Sequence, residues 1–228
     1  SLRTSVGHAP VLAHDLAIFG GTNGRVFAHD MRGGYPRWQY EMSSPIRARP
    51  VLTPNHAFVA DTRGNYALLS VEAGTLLRPG RTFARISATP TATDVGILVA
   101  SEDHTLYALH ALTLHDRWKF RAPHALTLTP TILQDVVYLP VPNHGLIAID
   151  ANKGEKLWEL RGVYAHPIHS AGHKVLMNAG KELILLNVNS GQTITRIATK
   201  PLKTVLRTPT GELILVGPDA WLMRLDRN

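Results

Sequence analysis

The chain has 228 residues, of which 44% are hydrophobic and 18% are charged, and its formal net charge is +7 at pH 7. The absence of cysteine excludes disulfides, thiol catalysis and zinc–thiolate sites. No apolar run approaches the length of about 18 residues that a transmembrane helix needs. The apolar fraction is sufficient for one large core, so a single domain over residues 1–228 is expected.

Proline marks the start of a repeated unit along the chain. The first four unit starts recur every forty residues, and the later spacings differ by a few residues, as is common when surface loops change length. Repeats of about 40–50 residues that contain short strands are typical of propeller blades. The unit starts are Pro10, Pro50, Pro90, Pro130, Pro167 and Pro209. Six starts predict six blades.

Each unit continues with an apolar run that predicts a second strand. These runs are 16–19, 57–60, 97–100, 136–139, 174–177 and 213–216. A hairpin turn follows, and in most units it contains a glycine that supplies the positive φ needed by tight hairpins. The predicted third strands are 25–30, 66–70, 105–110, 146–150, 183–187 and 221–226.

A further turn leads to the predicted fourth strand. The turn contains Gly34, Gly74, Gly154 or Gly191 in four units, and the strand starts near Trp38, Leu77, Trp118, Trp158 or Ile194. The three tryptophans occupy equivalent positions, so each is expected between neighbouring blades, where an indole buries a large apolar area and keeps one N–H donor. The alternative is a ligand-stacking set, but equivalent residues of different blades are separated by a whole blade.

The two ends of the chain complement each other. The sixth unit reaches Asn228 without a fourth strand, whereas Ser1–Leu2–Arg3 resembles Glu159–Leu160–Arg161 of an earlier fourth strand. We therefore expect the N-terminal strand to complete the last blade, which closes the ring and removes open sheet edges. The prediction is an all-β fold, a six-bladed β-propeller of four-stranded antiparallel blades.

The fourth unit carries a family resemblance. Its residues 137–139, 145–151 and 153–158 (Val-Tyr-Leu, Gly-Leu-Ile-Ala-Ile-Asp-Ala and Lys-Gly-Glu-Lys-Leu-Trp) resemble the pyrroloquinoline-quinone (PQQ) enzyme repeat with its tryptophan-docking motif. The resemblance extends over nearly the whole chain, although Arg78 and Thr195 replace the tryptophan in two units. That family includes quinoprotein alcohol dehydrogenases, which bind PQQ and Ca²⁺, and non-catalytic propellers of the BamB type.

Several features favour the non-catalytic branch of the family. The dehydrogenases are longer, have eight blades and typically carry a vicinal cysteine pair against the cofactor, whereas this chain has no cysteine. Calcium needs six or more oxygen ligands, yet the candidate carboxylates fall in hairpins of different blades, where we expect solvated turn residues. They are Asp61, Glu102, Asp103 and Asp219. We therefore expect no cofactor and no enzyme activity, although a Ser–His–Asp set assembled across blades stays open.

Twelve histidines raise the question of a metal site, and the densest group is His166, His169 and His173. In a regular strand, residues 166 and 169 point to opposite faces, so they do not easily share one ion. We expect these histidines to be ordinary polar residues of loops and strand edges, and no metal site is predicted.

The basic residues concentrate in the linkers that follow the fourth strands. In a four-stranded antiparallel blade, these linkers and the turns after the second strands emerge on one side, and the linkers surround the mouth of the channel. Between Glu41 and Pro50 only Glu41 opposes the cations. A concave opening of one charge sign focuses its field and attracts anions. The predicted binding residues are Arg47, Arg49, Arg85, Lys203, Arg207 and His166.

These features predict a non-catalytic scaffold that binds an acidic protein or peptide at the basic mouth. A receptor for a small anion and a PQQ-dependent dehydrogenase are the alternatives, and independent solvated side chains would explain the cations without any partner. The linkers lack the interleaved aromatic residues that stack bases, so nucleic acid is not expected. The resemblance places the protein in the bacterial periplasm or cell envelope, as one domain of a larger membrane-associated chain or complex, and leaves the cytoplasm open.

Overall fold

The computed structural model describes residues 5–93, 96–202, 204–207, 213–217 and 222–225. Within these residues the chain forms 23 β-strands in six antiparallel sheets, numbered 1 to 6 in chain order. Five sheets have four strands, and three strands of sheet 6 lie in the described part. No helix in the described part is long and apolar enough to cross a bilayer.

The strands follow one another in each sheet in sequence order. Sheet 1 contains β1 (Val11–Ala13), β2 (Leu16–Gly20), β3 (Arg25–Asp30) and β4 (Pro36–Glu41). Sheet 2 contains β5 (Val51–Thr53), β6 (His56–Ala60), β7 (Asn65–Ser70) and β8 (Leu76–Arg81). Sheet 3 contains β9 (Thr91–Thr93), β10 (Gly96–Ala100), β11 (Thr105–Leu109) and β12 (Asp116–Arg121).

Sheets 4 to 6 repeat this order. Sheet 4 contains β13 (Thr131–Leu133), β14 (Val136–Val141), β15 (Gly145–Asp150) and β16 (Lys156–Arg161). Sheet 5 contains β17 (His166–Ala171), β18 (Lys174–Asn178), β19 (Glu182–Asn187) and β20 (Thr193–Ala198). Sheet 6 contains β21 (Thr204–Arg207), β22 (Leu213–Val216) and β23 (Leu222–Leu225). The predicted second and third strands therefore agree closely with the observed ones. In sheet 6 the first strand, β21, lies ahead of Pro209, the predicted start of this unit, and Pro209 itself is outside the described residues.

The core lies between successive sheets, which stack face to face. Between sheets 1 and 2, Ile18 and Val26 of one sheet pack against Val59 and Leu69 of the other. Equivalent apolar layers separate sheets 2 and 3, sheets 3 and 4, and sheets 4 and 5. The first strands β1, β5, β9, β13 and β17 are neighbours in this order. This arrangement is propeller-like, and it explains why both faces of sheets 2, 3 and 4 are apolar.

Tryptophans stabilise three of the four junctions between sheets 1 to 5. The Trp38 Nε1–H donates to the carbonyl oxygen of Val71 at 2.8 Å, that of Trp118 to Ala151 at 2.9 Å, and that of Trp158 to Val188 at 2.6 Å. Each acceptor lies in the next sheet, so each bond crosses a junction. The predicted position of the tryptophans between blades is confirmed.

A glycine three residues after each acceptor carbonyl makes room for the indole. A Cβ atom at Gly74 would lie 2.5 Å from Cδ2 of Trp38, and Cβ atoms at Gly154 and Gly191 would lie 2.6 Å from Cδ2 of Trp118 and Trp158. These glycines also have positive φ. An L side chain at these positions is therefore excluded by contact as well as strained by the backbone.

The junction between sheets 2 and 3 departs from this pattern in two correlated ways. Arg78 occupies the tryptophan position of sheet 2, and Leu114, with φ of 56°, occupies the glycine position of sheet 3. Because no indole lies against it, position 114 has room for a side chain, which packs into the layer around Phe58 and Tyr66. Glycine at this position thus accompanies a tryptophan in the preceding sheet.

The described residues form five four-stranded sheets and one sheet of three strands, so the predicted count of six complete blades is not confirmed. Ser1–Leu2–Arg3, the proposed closing strand, lies outside the described residues. At the N-terminus of the described part, the carbonyl of Ser5 accepts the N–H of Thr22 at 3.1 Å, as the carbonyl of Pro45 accepts the N–H of Thr62 at 2.9 Å. Residues 5 and 6 therefore occupy the linker position ahead of sheet 1.

Candidate binding surface

Linkers after the fourth strands and turns after the second strands meet on one side of the molecule. In the linker of sheet 1, the N–H of Met42 donates to Gly24 at 2.8 Å and the N–H of Ile46 to Gly21 at 3.2 Å. In the same linker, the carbonyl oxygen of Pro45 accepts the N–H of Thr62 of sheet 2. The other turns meet on the opposite side, where the N–H of Val71 donates to Asn55 at 3.1 Å. This grouping of the loops agrees with the topology expected from the sequence.

The linker after sheet 1 is extended, and its residues alternate between buried and exposed from Met42 to Pro50. Ile46 and Ala48 are buried, whereas Arg47 and Arg49 are exposed. Alternation is the geometry of an extended chain with one side against a core. The apolar residues of the linker thus fix the side from which both guanidinium groups project.

Arg49 lies in a groove between the first strands of sheets 1 to 3. One of its Nη atoms donates to the carbonyl of Pro10 at 3.0 Å. The groove has a volume of about 400 Å³ and is also lined by Leu12, Leu52 and Thr89. A guanidinium has five N–H donors, so this bond to sheet 1 leaves donors for a ligand in the groove.

The remaining predicted residues are distributed over later sheets. Arg85 is exposed, and its carbonyl accepts the N–H of Glu102 at 2.9 Å, which fixes the backbone of the linker after sheet 2. His166 is exposed at the start of β17. Arg207 is the last residue of β21, and Lys203 lies outside the described residues. The structure therefore brings Arg47 and Arg49 together on one linker, with Arg85 on the next.

The charge on this side is largely uncompensated. Glu41, at the start of the first linker, pairs with Arg25 at 3.8 Å. Within the described part of the chain, no carboxylate forms an ion pair with Arg47, Arg49 or Arg85. These three cations are thus free to pair with an external anion.

Asp61 is not a solvated turn residue, so that expectation was wrong. Its side chain is fully buried and accepts the N–H groups of Arg63 at 2.8 Å and Asn65 at 3.0 Å. It also accepts the hydroxyl of Ser43, in the linker of the preceding sheet, at 3.1 Å. A buried carboxylate needs such donors because its desolvation is costly. Asp61 therefore ties the linker that carries Arg47 and Arg49 to sheet 2.

Asp103 has the same role one sheet later. Its carboxylate accepts the Tyr107 hydroxyl at 2.7 Å, the N–H of Thr105 at 2.9 Å and, from the preceding linker, the N–H of Phe83 at 3.0 Å. Burial raises the pKa of Asp103, but these hydrogen bonds outweigh it and hold the pKa below its usual value. Burial and the Asp103 carboxylate together raise the pKa of Tyr107. The carboxylates of these turns position the basic linkers, a function that turn composition alone does not reveal.

A mixed-charge cleft lies on the opposite side, between sheets 1 and 2. It has a volume of about 610 Å³, and its lining includes His14, Asp15, Arg37, His56 and Glu72. These residues come from turns of two sheets that are distant in sequence. No local motif could therefore have indicated the cleft.

Comparison with known proteins assigns the family. The sequence profile of the family described as "Outer membrane protein assembly factor BamB" matches residues 22–227. The chain belongs to this family. No curated protein sequence matches the chain, so the BamB family assignment rests on the profile and on the fold.

Solved structures share the fold. BamB from Moraxella catarrhalis is 21% identical, with a TM-score of 0.57 over 97% of this chain and 83% of that one. The computationally designed Ika8 protein is 12% identical, with a TM-score of 0.73 over 94% and 69%. Quinohemoprotein alcohol dehydrogenase from Comamonas testosteroni is 13% identical, with a TM-score of 0.67 over 97% and 46%. At these identities the likeness concerns architecture alone.

No three His, Asp or Glu side chains of the described residues lie close enough to hold one metal ion. His166 and His169 do not obey the simple alternation expected of them, because a bulge between Pro167 and His169 places them opposite Asn178 and Leu176, which share a face.

Proposed function

We propose that the protein is a non-catalytic binding platform whose mouth surface takes an acidic protein or peptide segment. The mouth surface comprises Arg47, Arg49, Arg85, Lys203, Arg207 and His166. The observation that carries the proposal is that Arg47, Arg49 and Arg85 are exposed, lack described carboxylate partners and project from linkers held by hydrogen bonds to turn carboxylates.

The chemistry of these groups suits carboxylates. A guanidinium can bind a carboxylate through two parallel hydrogen bonds, and a set of like charges in a concave site attracts anions from solution. Each exposed pair contributes only about 0–1 kcal/mol. An extended acidic segment that reaches several arginines at once is therefore a better ligand than a single carboxylate.

The family supports the platform and its location. Its description, an outer membrane protein assembly factor, names an activity that proceeds by binding other proteins rather than by chemistry on a substrate. We therefore place the protein in the bacterial cell envelope and assign it no reaction. A protein partner in a membrane-associated complex follows from the same description.

The closed ring of six blades stays a prediction. Closure would set Arg207 and Lys203 beside the linkers of sheets 1 and 2 and so complete the mouth surface. The contact of Ser5 with Thr22 supports it, because those residues take the linker position ahead of sheet 1. Binding at Arg47, Arg49 and Arg85 requires only the observed order of sheets 1 to 3.

The test is a titration with a fluorescent peptide of ten glutamates. The mouth variant Arg47→Glu/Arg49→Glu/Arg85→Glu should bind the peptide at least about tenfold more weakly than wild type, equivalent to about 1.4 kcal/mol. The control variant Arg32→Glu/Lys153→Glu/Lys174→Glu makes the same change in net charge on exposed residues of the opposite side, and should bind almost as wild type does. Equal weakening in both variants would show that only net charge matters and would refute the mouth surface.

A receptor for a small anion is a second candidate, and the groove beside Arg49 favours it. Inorganic phosphate serves as the probe. Saturable binding that is lost in Arg49→Glu but unaffected by Arg85→Glu would assign the groove to a small ligand. If inorganic phosphate binds neither the wild-type protein nor the Arg85→Glu variant measurably, the acidic segment remains the proposed ligand.

A further inference from the structure

At three sheet junctions, the fourth strand directs two large side chains at the next sheet. They are Trp38 and Tyr40 in β4, Trp118 and Phe120 in β12, and Trp158 and Leu160 in β16, and they pack on the apolar layers of their junctions. The equivalent positions of β8 hold Arg78 and Gly80. Among the described residues, the apolar layer between sheets 2 and 3 contains no side chain of a fourth strand. The outer part of this junction is therefore left open.

The opening is a cleft of about 470 Å³ between β8 and β12. Its lining includes Tyr66, Phe83, Tyr107, Leu114, Asp116 and Lys119. These residues belong to sheets 2 and 3 and to the segments that connect their strands, so the cleft is distinct from sheets 1 and 6, where the ring would close. Its volume is in the range of sites that hold small ligands. We call it the outer cleft.

Two tyrosines form the walls of the outer cleft. Tyr66 of sheet 2 lies across Gly80, where a Cβ atom would overlap the tyrosine ring. Tyr107 belongs to sheet 3, and its hydroxyl donates to the Asp103 carboxylate at 2.7 Å, which fixes the orientation of the ring. Both tyrosines are buried members of the apolar layer between the two sheets. A ligand in the cleft therefore meets fixed aromatic surfaces from both sheets.

A third aromatic ring, that of Phe83, stands at the rim of the outer cleft. Its side chain is 91% exposed, yet its backbone is fixed, because the N–H of Phe83 donates to the Asp103 carboxylate at 3.0 Å. The equivalent positions of the linkers after sheets 1, 3 and 4 hold Ser43, Pro123 and Val163. Single exposed apolar side chains are common, but this ring borders a cleft with aromatic walls. A ligand that contacts Phe83 would remove its apolar surface from water.

The outer cleft also presents one charge of each sign. The Lys119 ammonium pairs with the Asp116 carboxylate at 2.6 Å, and both side chains are 46% exposed. The same ammonium lies 5.2 Å from the centroid of the Tyr107 ring. Burial, and after it the Asp116 carboxylate, raise the pKa of Tyr66, so this carboxylate acts across the cleft. An ion pair with this exposure is weak, and a ligand that offers both an ammonium and a carboxylate can replace it.

We propose that the outer cleft is a binding site for a free aromatic amino acid. The ring of the ligand takes the space that fourth-strand side chains fill at the other junctions, against Tyr66, Tyr107 and Phe83. Aromatic rings contact one another there in offset or edge-to-face arrangements. The α-carboxylate of the ligand pairs with Lys119 and its α-ammonium with Asp116. An aromatic ligand with only one charge would leave one of these two groups without a partner. The site does not depend on the mouth surface.

The first test is a titration with 5-fluoro-L-tryptophan, followed by ¹⁹F NMR. The comparison ligands are 5-fluorotryptamine, which lacks the carboxylate, and 5-fluoroindole-3-acetate, which lacks the ammonium. We expect saturable binding of the amino acid and at least about tenfold weaker binding of each comparison ligand. Binding that does not saturate at about 10 mM amino acid, or equal affinity for all three ligands, would overturn the proposal.

Variants of exposed residues locate the binding. Phe83→Ser introduces the residue that the linker after sheet 1 has at this position, and it should weaken binding of the amino acid at least about fivefold. Tyr164→Ser is the matched control, because Tyr164 is an aromatic residue, 45% exposed, on the linker after sheet 4. Lys119→Glu should reverse the preference, so that 5-fluorotryptamine binds more tightly than the amino acid. Wild-type affinities in both cleft variants would overturn the proposal.

A third test fills the outer cleft from within. Arg78→Trp with Leu114→Gly gives this junction the tryptophan and glycine of the other three, so an indole of the chain itself takes the place of the ligand. Binding of 5-fluoro-L-tryptophan should then be abolished in a variant that circular dichroism shows to be folded. Unchanged binding by the folded variant would show that the ligand lies elsewhere and would overturn the proposal. The variants of exposed residues decide the question if this one does not fold.

Discussion

The dock between sheets 4 and 5 makes a quantitative prediction. Trp158 is almost fully buried, packs against the Tyr138 ring at 6.0 Å and donates to the Val188 carbonyl at 2.6 Å. Trp158→Ala removes the ring and leaves a cavity, which typically costs about 3–5 kcal/mol. Trp158→Phe retains most of the packing but leaves the Val188 carbonyl without its donor, at a cost of about 1–3 kcal/mol.

Substitution of the glycine under the ring separates stacking from backbone strain. Gly191→Ala places a Cβ 2.6 Å from Cδ2 of Trp158, which adds about 1–3 kcal/mol of overpacking to the roughly 1–2 kcal/mol of a left-handed residue. Gly172→Ala has a similar positive φ but open surroundings, so it carries only the strain. The difference between the two variants measures the contact with the indole.

The assay is urea unfolding followed by circular dichroism, in a double-mutant cycle of Trp158→Ala with Gly191→Ala. Once the indole is gone, Gly191→Ala should cost no more than Gly172→Ala, so the two single effects should be non-additive by about 1–3 kcal/mol. Additive effects would show that the ring does not rest on Gly191. The dock between sheets 4 and 5 would then be refuted.

Three further predictions concern other junctions and charges. The Lys156 ammonium and a neighbouring guanidinium hold the pKa of Glu159 at about 2. Because the pKa is depressed in the folded protein, this stabilisation is present above the ordinary pKa of 4.5 and is lost as the pH falls towards 2. In acid titrations, the difference in unfolding free energy between wild type and Glu159→Gln should therefore shrink over that pH range. Asp61→Ala should lower the unfolding free energy by about 3 kcal/mol in urea titrations, since it orphans buried donors, and a loss within the error of a surface substitution would contradict the anchoring role. The pair Arg78→Trp with Leu114→Gly should create a fourth filled dock, visible in urea unfolding as a favourable coupling of about 0.5–3 kcal/mol, and zero coupling would show that glycine and tryptophan are not partners.

Periodicity in the sequence was sufficient to predict the sheets. The forty-residue recurrence of proline and the equivalent spacing of Trp38, Trp118 and Trp158 reflect contacts that repeat at each junction, so one unit informs the others. These features depend on local geometry, which sequence patterns encode directly.

Features that depend on partners distant in sequence were not predictable. Asp61 lies in a turn whose sequence is typical of solvated turns, and it is buried only because Ser43 approaches from the linker of the preceding sheet. The faces of His166 and His169 depend on a bulge, which inserts one residue and breaks the alternation without any sequence mark.

The tryptophan bonds have a mechanical consequence. Each joins only two sheets that are neighbours in sequence, as Trp38 joins sheet 1 to sheet 2. Under tension the sheet junctions are therefore loaded in series, and each such junction is held by its own tryptophan hydrogen bond. Separation of one junction transmits the load to the next without loosening the others. A pulled chain should lengthen in discrete steps of about 14 nm, the extended length of roughly forty residues. The molecule should therefore unfold stepwise under force, and a sheet that has been pulled away can rebind when the tryptophan and the glycine of that junction meet again.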